Sequence, residues 1–214
     1  MAEPATIKIL VTDDHAVLRE GIIRILASRI EHVTFGEASN ATEALEKVWA
    51  QKWDLILLDI TMPGRSGLDI LQQLRHAQPD TPVLVLSMHS EDQFAVRVLR
   101  AGAAGYLTKN SDPNELLSAV QKILAGGHYI TASLGEKLAA SLRHNIQPPQ
   151  ELLSDREFQV LRMIASGKIV SEIAKELSLS VKTISTYRSR ILEKMGMKNN
   201  AELMHYAMQH QLVE

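Results

Sequence analysis

The chain has no cysteine, which excludes a disulfide framework, an iron–sulfur cluster and a thiolate zinc site and leaves the fold to stand on packing alone. It also lacks any apolar run near the ~20 residues that a membrane span requires. The opening residues, MAEPATIKILVTDD, show no charged-then-apolar signal-peptide pattern, so the expectation is a soluble cytoplasmic protein with no membrane partner. Internal repeats and low-complexity tracts are missing too. What is present is ordinary globular material, 214 residues of which 45% are hydrophobic and 22% charged, enough for one large domain or two small ones.

Charge is unevenly placed. Residues 1–149 carry 14 basic and 17 acidic side chains, a net −3, whereas residues 150–214 carry 9 and 8, a net +1. Within Lys182–Lys198 the basic Lys182, Arg188, Arg190, Lys194 and Lys198 face only Glu193, leaving +4 in one short stretch. A local basic patch beside an acidic remainder points to two parts with different tasks.

The first 110 residues alternate between two periods. Short β-branched or apolar runs at 7–12, 32–39, 54–60, 82–87 and 105–108 read as strands. Segments of helical length separate them, with apolar residues at helical spacing such as Val17, Leu18, Ile22, Ile25 and Leu26. Such alternation favours right-handed βαβ units and a parallel sheet covered by helices on both faces. The expected fold is therefore α/β, a five-stranded doubly wound sheet over residues 1–125 that ends with the helix Pro113–Leu124. Gly126-Gly127 stops that helix, and 126–149 reads as a helical linker broken by Pro148-Pro149. Beyond it, residues 150–214 read as a small all-α domain of four helices, near 155–166, 170–177, 181–195 and 201–211. Ser154 with Glu157 forms a capping box, Gly167 closes the first helix and Ser180 stands where it can cap the third.

In an open parallel sheet, ligands bind beyond the carboxyl ends of the strands. Asp13 and Asp14 follow the first strand, Asp59 ends the third, Ser87 ends the fourth and Lys109 follows the fifth. Three converging carboxylates repel one another unless a cation sits among them, and a hard, part-hydrated magnesium ion suits oxygen donors better than zinc. Lys109 adds a point charge against an oxyanion on the same edge. Four of the five strands thus end in a group suited to a phosphoryl site.

The acid pair Asp13-Asp14, the segment LLDITMPGRSG carrying Asp59, Ser87 in VLVLSMHS, and AGAAGYLTK with Tyr106 and Lys109 occur in order over residues 7–125. This set resembles the response-regulator receiver domain of two-component signalling. The resemblance implies that Asp59 accepts a phosphoryl group from a sensor histidine kinase. It implies that Asp14, Asp59 and the backbone carbonyl of Thr61 bind Mg2+, with Asp13 supporting them and Lys109 pairing with the phosphate. Ser87 would turn inward to the phosphoryl oxygen, and Tyr106 would follow from an exposed to a buried rotamer. By residue type alone, Tyr106 fits a surface aromatic packed on a neighbouring helix equally well. Thr61 and His89 stand two residues beyond Asp59 and Ser87, where the resemblance places side chains that control water access and phosphoryl lifetime.

In the tail, a tight turn LSLS at 177–180 joins two helices, and the second, Val181–Met195, carries the basic patch. That is the helix-turn-helix arrangement, in which the second helix enters a major groove. The run from Leu153 to Leu203 resembles the LuxR-type helix-turn-helix, with Glu157, Gly167, Ile173, Ala174, Leu177, Thr183, Ile184 and Lys194 in matching places. Receiver and tail together resemble a NarL/FixJ-type response regulator, and KTISTYRSRI looks most like the GacA/UvrY branch. The resemblance implies that Ser185, Thr186 and Ser189 face base edges, while Lys182, Thr183, Tyr187, Arg188, Arg190 and Lys194 hold the backbone of promoter DNA. It also implies a homodimer on phosphorylation or DNA binding, and catalysis limited to the chain's own phosphorylation and dephosphorylation. The rival enzyme reading, a phosphatase of the haloacid dehalogenase type, expects a second Asp two positions after the nucleophile, where this chain has Thr61.

Overall fold

A computed structural model describes residues 6–62, 67–88, 91–131, 133–136, 149–210 and 212–213. The chain divides into two compact units, residues 1–139 and 140–214.

The first unit alternates strand and helix as β1 (Ile7–Thr12), α1 (Ala16–Ala27), β2 (Val33–Ala38), α2 (Ala41–Ala50), β3 (Leu55–Asp59), α3 (Gly67–Ala77), β4 (Val83–Ser87), α4 (Glu91–Arg100), β5 (Gly105–Thr108) and α5 (Pro113–Leu124). All strand pairs are parallel and their order is β2-β1-β3-β4-β5. The order reverses at β1, so the ends of β1 and β3 open a crevice at the carboxyl edge. Every residue of β3 and β4 is buried, as a sheet covered on both faces demands. Ile9, Val11, Leu55 and Leu57 point to one face and pack with Leu26, Ala119, Val120 and Ile123. Leu10, Ile56 and Leu58 alternate to the other face and are equally buried. Helix starts follow local chemistry. Asn40 caps α2 by accepting the Glu43 N–H at 3.0 Å, and Asp112 caps α5 by accepting the Asn114 N–H at 2.8 Å with Pro113 at the first helical position.

Packing carries this unit past residue 125. The Tyr129 N–H donates to the Ala104 carbonyl at 2.9 Å and pairs in parallel with Gly105. A β-carbon at Gly105 would stand 2.8 Å from the Tyr129 carbonyl oxygen, so only glycine admits this edge. Leu134, in a helical turn over 133–136, is buried as well. Residues 137–148 of the expected helical linker lie outside the described residues.

The second unit opens with a 3-10 turn, Pro149–Leu152, and continues as α6 (Asp155–Ala165), α7 (Val170–Glu176), α8 (Val181–Met195) and α9 (Asn200–Gln209). The capping box is present: the Glu157 N–H donates to Ser154 Oγ and the Ser154 N–H donates to Glu157 Oε2 at 2.7 Å. Gly167 and Gly196 take the left-handed conformation that ends α6 and α8. Ser180 caps α8, accepting the Thr183 N–H at 3.0 Å. In the turn between α7 and α8, Ser178 adopts φ 53° while the Leu179 N–H returns to the Ala174 carbonyl at 2.8 Å. Val160, Leu161, Ile164, Ile173, Ile184, Ile191 and Leu203 form the buried centre, the helical periodicity of the sequence turned inward. No helix among the described residues is long and apolar enough to cross a membrane.

Candidate functional site

The carboxyl edge of the sheet gathers Asp13, Asp14, Asp59 and Lys109. Ligand atoms of Asp13, Asp14, His15 and Asp59 all lie within 4.8 Å of one another. Asp59 and Asp13 are buried, and Lys109 Nζ sits between them, 2.6 Å from Asp59 Oδ2 and 2.7 Å from Asp13 Oδ2. The first contact is a hydrogen bond. The second is an ion pair, so a single ammonium is shared between two buried acids. Asp59 Oδ1 accepts two bonds from one residue, the Thr61 N–H at 2.8 Å and the Thr61 hydroxyl at 2.5 Å.

These contacts pull the titration of the site in opposite directions. Burial raises the Asp59 pKa above the usual carboxylate range and outweighs the bonds from Lys109 and Thr61, which favour the anion. Burial also works against the Lys109 ammonium, but its contacts to Asp13 and Asp59 prevail and hold its pKa above the ordinary lysine value. The result is a carboxylate with little solvation of its own, facing a cation that stays charged. The clustered carboxylate oxygens of Asp13, Asp14 and Asp59 form an oxygen donor set that fits a hard divalent cation.

Ser87 is buried at the end of β4, and its carbonyl accepts the Lys109 N–H at 2.7 Å, which ties the two strand ends together. Tyr106 is fully buried opposite Val85. Of the two positions expected for Tyr106, this is the inward one. His89 lies outside the described residues. Thr61, expected to govern water access, touches Asp59 directly through its hydroxyl.

Two neighbours of the acids were absent from the sequence reading. His15 directs Nδ1 to 2.9 Å from Asp14 Oδ1 and 3.2 Å from Asp13 Oδ1, with its side chain 69% exposed. Arg19 donates from Nη1 to the Asp13 carbonyl at 2.7 Å and from Nε to Glu37 Oε2 at 3.2 Å. Adjacency to the acid pair is a usable signal for His15. Arg19 is six positions from Asp13, and only the fold of α1 back over the turn reveals the contact.

On α8, Lys182, Ser185, Thr186, Ser189 and Arg190 are exposed, and Thr183, Tyr187 and Arg188 are half-buried. Positions 182, 185, 186 and 189 share one face by helical spacing. Thr186 and Ser189 donate their hydroxyls to the carbonyls of Lys182 and Ser185, at 3.0 and 3.1 Å, leaving oxygen lone pairs outward. Arg188 donates from Nε to Asn200 Oδ1 at 2.6 Å, which orients its guanidinium across the start of α9. Lys194 has an internal partner: Nζ lies 2.6 Å from Glu157 Oε2 and ties α8 to α6.

Residues 9–121 match the family model of the response regulator receiver domain, and residues 151–207 match that of bacterial regulatory proteins of the luxR family. The chain belongs to the two-component response regulators that carry a LuxR-type DNA-binding domain. Among its relatives, the response regulator GacA of Pseudomonas syringae pv. syringae is 38% identical over 213 residues, 97% of this chain and 98% of that protein. The response regulator UvrY of Escherichia coli K12 is 36% identical over 211 residues, 96% and 95% of the two chains. In structure, the RcsB response regulator of Salmonella typhimurium matches with a TM-score of 0.71 at 27% identity, over 97% of this chain and 99% of that one. The same Salmonella protein, bound to promoter rprA in the presence of the phosphomimetic BeF3−, matches at 0.66 and 28%, over 94% and 98%.

Proposed function

We propose that Asp59 takes a phosphoryl group from a sensor histidine kinase and that this event releases α8 to read promoter DNA as a dimer. The carrying observation is Asp59 itself, a carboxylate buried at a strand end with Lys109 Nζ at 2.6 Å and two further acids around it. The Asp59 carboxylate attacks phosphorus in line; the bond to the kinase imidazole breaks and the imidazole leaves with its electron pair. Asp14, Asp59 and the Thr61 carbonyl, supported by Asp13, would hold Mg2+, which supplies charge neutralisation for the transferred group. Lys109, already charged, pairs with the phosphoryl oxygens. The Ser87 hydroxyl donates to one of them, and Tyr106 occupies the space behind it. Catalysis by the chain extends to gain and loss of its own phosphoryl group, in the cytoplasm where DNA and kinase domains meet.

On DNA, Ser185, Thr186 and Ser189 face base edges, while Lys182, Thr183, Tyr187, Arg188 and Arg190 contact phosphates. Short hydroxyls accept or donate to several bases, so phosphate contacts and DNA shape contribute much of the selectivity. Lys194, 40% exposed and paired with Glu157, also holds the DNA backbone. Phosphorylation shifts the population toward a state in which two copies occupy two half-sites.

The test is fluorescence anisotropy on promoter fragments with wild type and Asp59→Ala, each with and without acetyl phosphate and MgCl2. The expected result is that donor tightens wild-type binding and leaves the variant unchanged. Equal binding by both proteins in all conditions overturns the reading.

A further inference from the structure

We infer that Arg19 is a positioning residue of the phosphorylation site, holding the acid turn so that Asp14 presents its carboxylate to the metal. This rests on the magnesium-binding role proposed above and assigns a part of that site to α1 and β2.

The turn after β1 is held at every polar atom of Asp13. Its N–H donates to the Ala38 carbonyl at 3.1 Å, which is the last rung of the β1–β2 pairing. Its Oδ1 accepts the His15 N–H at 2.8 Å, and its Oδ2 lies against Lys109. The remaining atom is the carbonyl oxygen, and Arg19 Nη1 takes it at 2.7 Å. The carbonyl of residue 13 and the N–H of residue 14 share one rigid peptide plane. Fixing that oxygen therefore fixes the direction in which the chain delivers Asp14, whose side chain is 30% exposed and meets only the largely exposed His15 ring, at 2.9 Å, among the described residues.

Arg19 is well placed for this and arginine is the residue type it needs. The side chain leaves the first turn of α1, is only 14% exposed, and reaches Glu37 on β2 through Nε while Nη1 reaches the end of β1. Two donors in a planar fork bridge two adjacent strands, a geometry lysine cannot reproduce with a single nitrogen. Glu37 also offsets the guanidinium charge, so the contribution of Arg19 to the acidic site is one of position more than of field.

The experiment is isothermal titration calorimetry of MgCl2 into the full-length protein, with melting temperatures in EDTA measured alongside. Arg19→Gln is expected to weaken Mg2+ about tenfold, the lower end of the range for outer-shell partners of a metal ligand. Arg19→Lys keeps the charge and one bond and should recover only part of the loss. Glu37→Gln, at a half-exposed position one contact further out, should weaken Mg2+ by less than Arg19→Gln but measurably, through loss of the buttress. A role in stability alone lowers the EDTA melting temperature and leaves the Mg2+ dissociation constant within twofold of wild type; that result overturns the inference. If Arg19→Gln does not fold, unchanged Mg2+ affinity in both Arg19→Lys and Glu37→Gln overturns it equally. Failure of the wild type to bind Mg2+ at all defeats the magnesium reading first and the role of Arg19 with it.

Discussion

Each unit of the molecule sets one carboxylate 2.6 Å from one lysine, Asp59 with Lys109 in the first and Glu157 with Lys194 in the second. The two carboxylates are shifted in opposite directions. In the first pair the side chains are 0% and 3% exposed, and burial drives the Asp59 pKa up. In the second, Glu157 is 4% exposed but its lysine is 40% exposed. There burial opposes the anion, yet the bonds from Lys194 and from Ser154 prevail and lower the pKa. The difference lies in what water reaches. In the first, Lys109 is shared with Asp13 and little water reaches any of the three, so burial of Asp59 is incompletely offset; in the second the cation stays hydrated and the pair ties two helices. The first geometry is the one proposed above for phosphoryl chemistry; the second joins α6 to α8.

The largest effect that can break this comparison is loss of the proposed phosphoacceptor. Asp59→Ala should abolish the mobility shift produced by acetyl phosphate on phosphate-affinity gels, while Glu157→Ala should retain it. A shift in Asp59→Ala would mean that the reactive carboxylate lies elsewhere.

Next in size is the structural tie. Glu157→Ala removes a buried partner and half of the α6 capping box, at a cost of about 2 kcal/mol because Lys194 can relax into solvent. Both tryptophans, Trp49 and Trp53, lie in the first unit. The loss should therefore appear in thermal unfolding followed by far-UV circular dichroism and leave the tryptophan-fluorescence transition in place. Equal displacement of both transitions would show that the units unfold together.

A smaller effect tests the basic residues of α8. Arg188→Ala should reduce the slope of log affinity against log salt by about one, measured by anisotropy on one promoter fragment. An unchanged slope would confine Arg188 to its bond with Asn200.

The smallest effect concerns acid. Glu157 has a folded pKa below its ordinary 4.5, so its contribution to stability is present above that value and is lost as pH falls through the lowered one. Asp59 runs the other way. Its raised pKa means that the cost of keeping it ionised disappears as pH falls through that value. As pH falls below 4.5, circular dichroism should show the helical unit losing stability in wild type and less so in Glu157→Gln, which has already lost the contribution. Equal acid sensitivity in wild type and Glu157→Gln would mean that the Lys194 and Ser154 bonds do not favour the Glu157 anion.

Much of this was legible from residue patterns. Alternating strand and helix periods located every strand to within one residue at each end, because a fully buried parallel sheet leaves continuous apolar runs such as Leu55–Leu58 and Val83–Leu86. The capping residues Ser154 and Ser180 act over three positions and so are visible in a line of text. Asp13, Asp14, Asp59 and Lys109 were legible as strand-end groups, since parallel topology sends all carboxyl ends to one edge. Contacts that close over longer distances were not. Arg19 on Asp13, Tyr129 on Gly105 and Lys194 on Glu157 each depend on how two elements pack, and no local period records it.

Periodicity, turn chemistry and the order of polar residues at strand ends thus determined the two-part architecture and the membership of the acidic edge, because these depend on neighbours along the chain. Tertiary structure alone decided how far each charge stands from water. That distance separates Asp59, raised by burial, from Glu157, lowered by its bonds, although both are carboxylates at 2.6 Å from a lysine. Solvation is a property of everything packed around a group, and the sequence names the group without its surroundings.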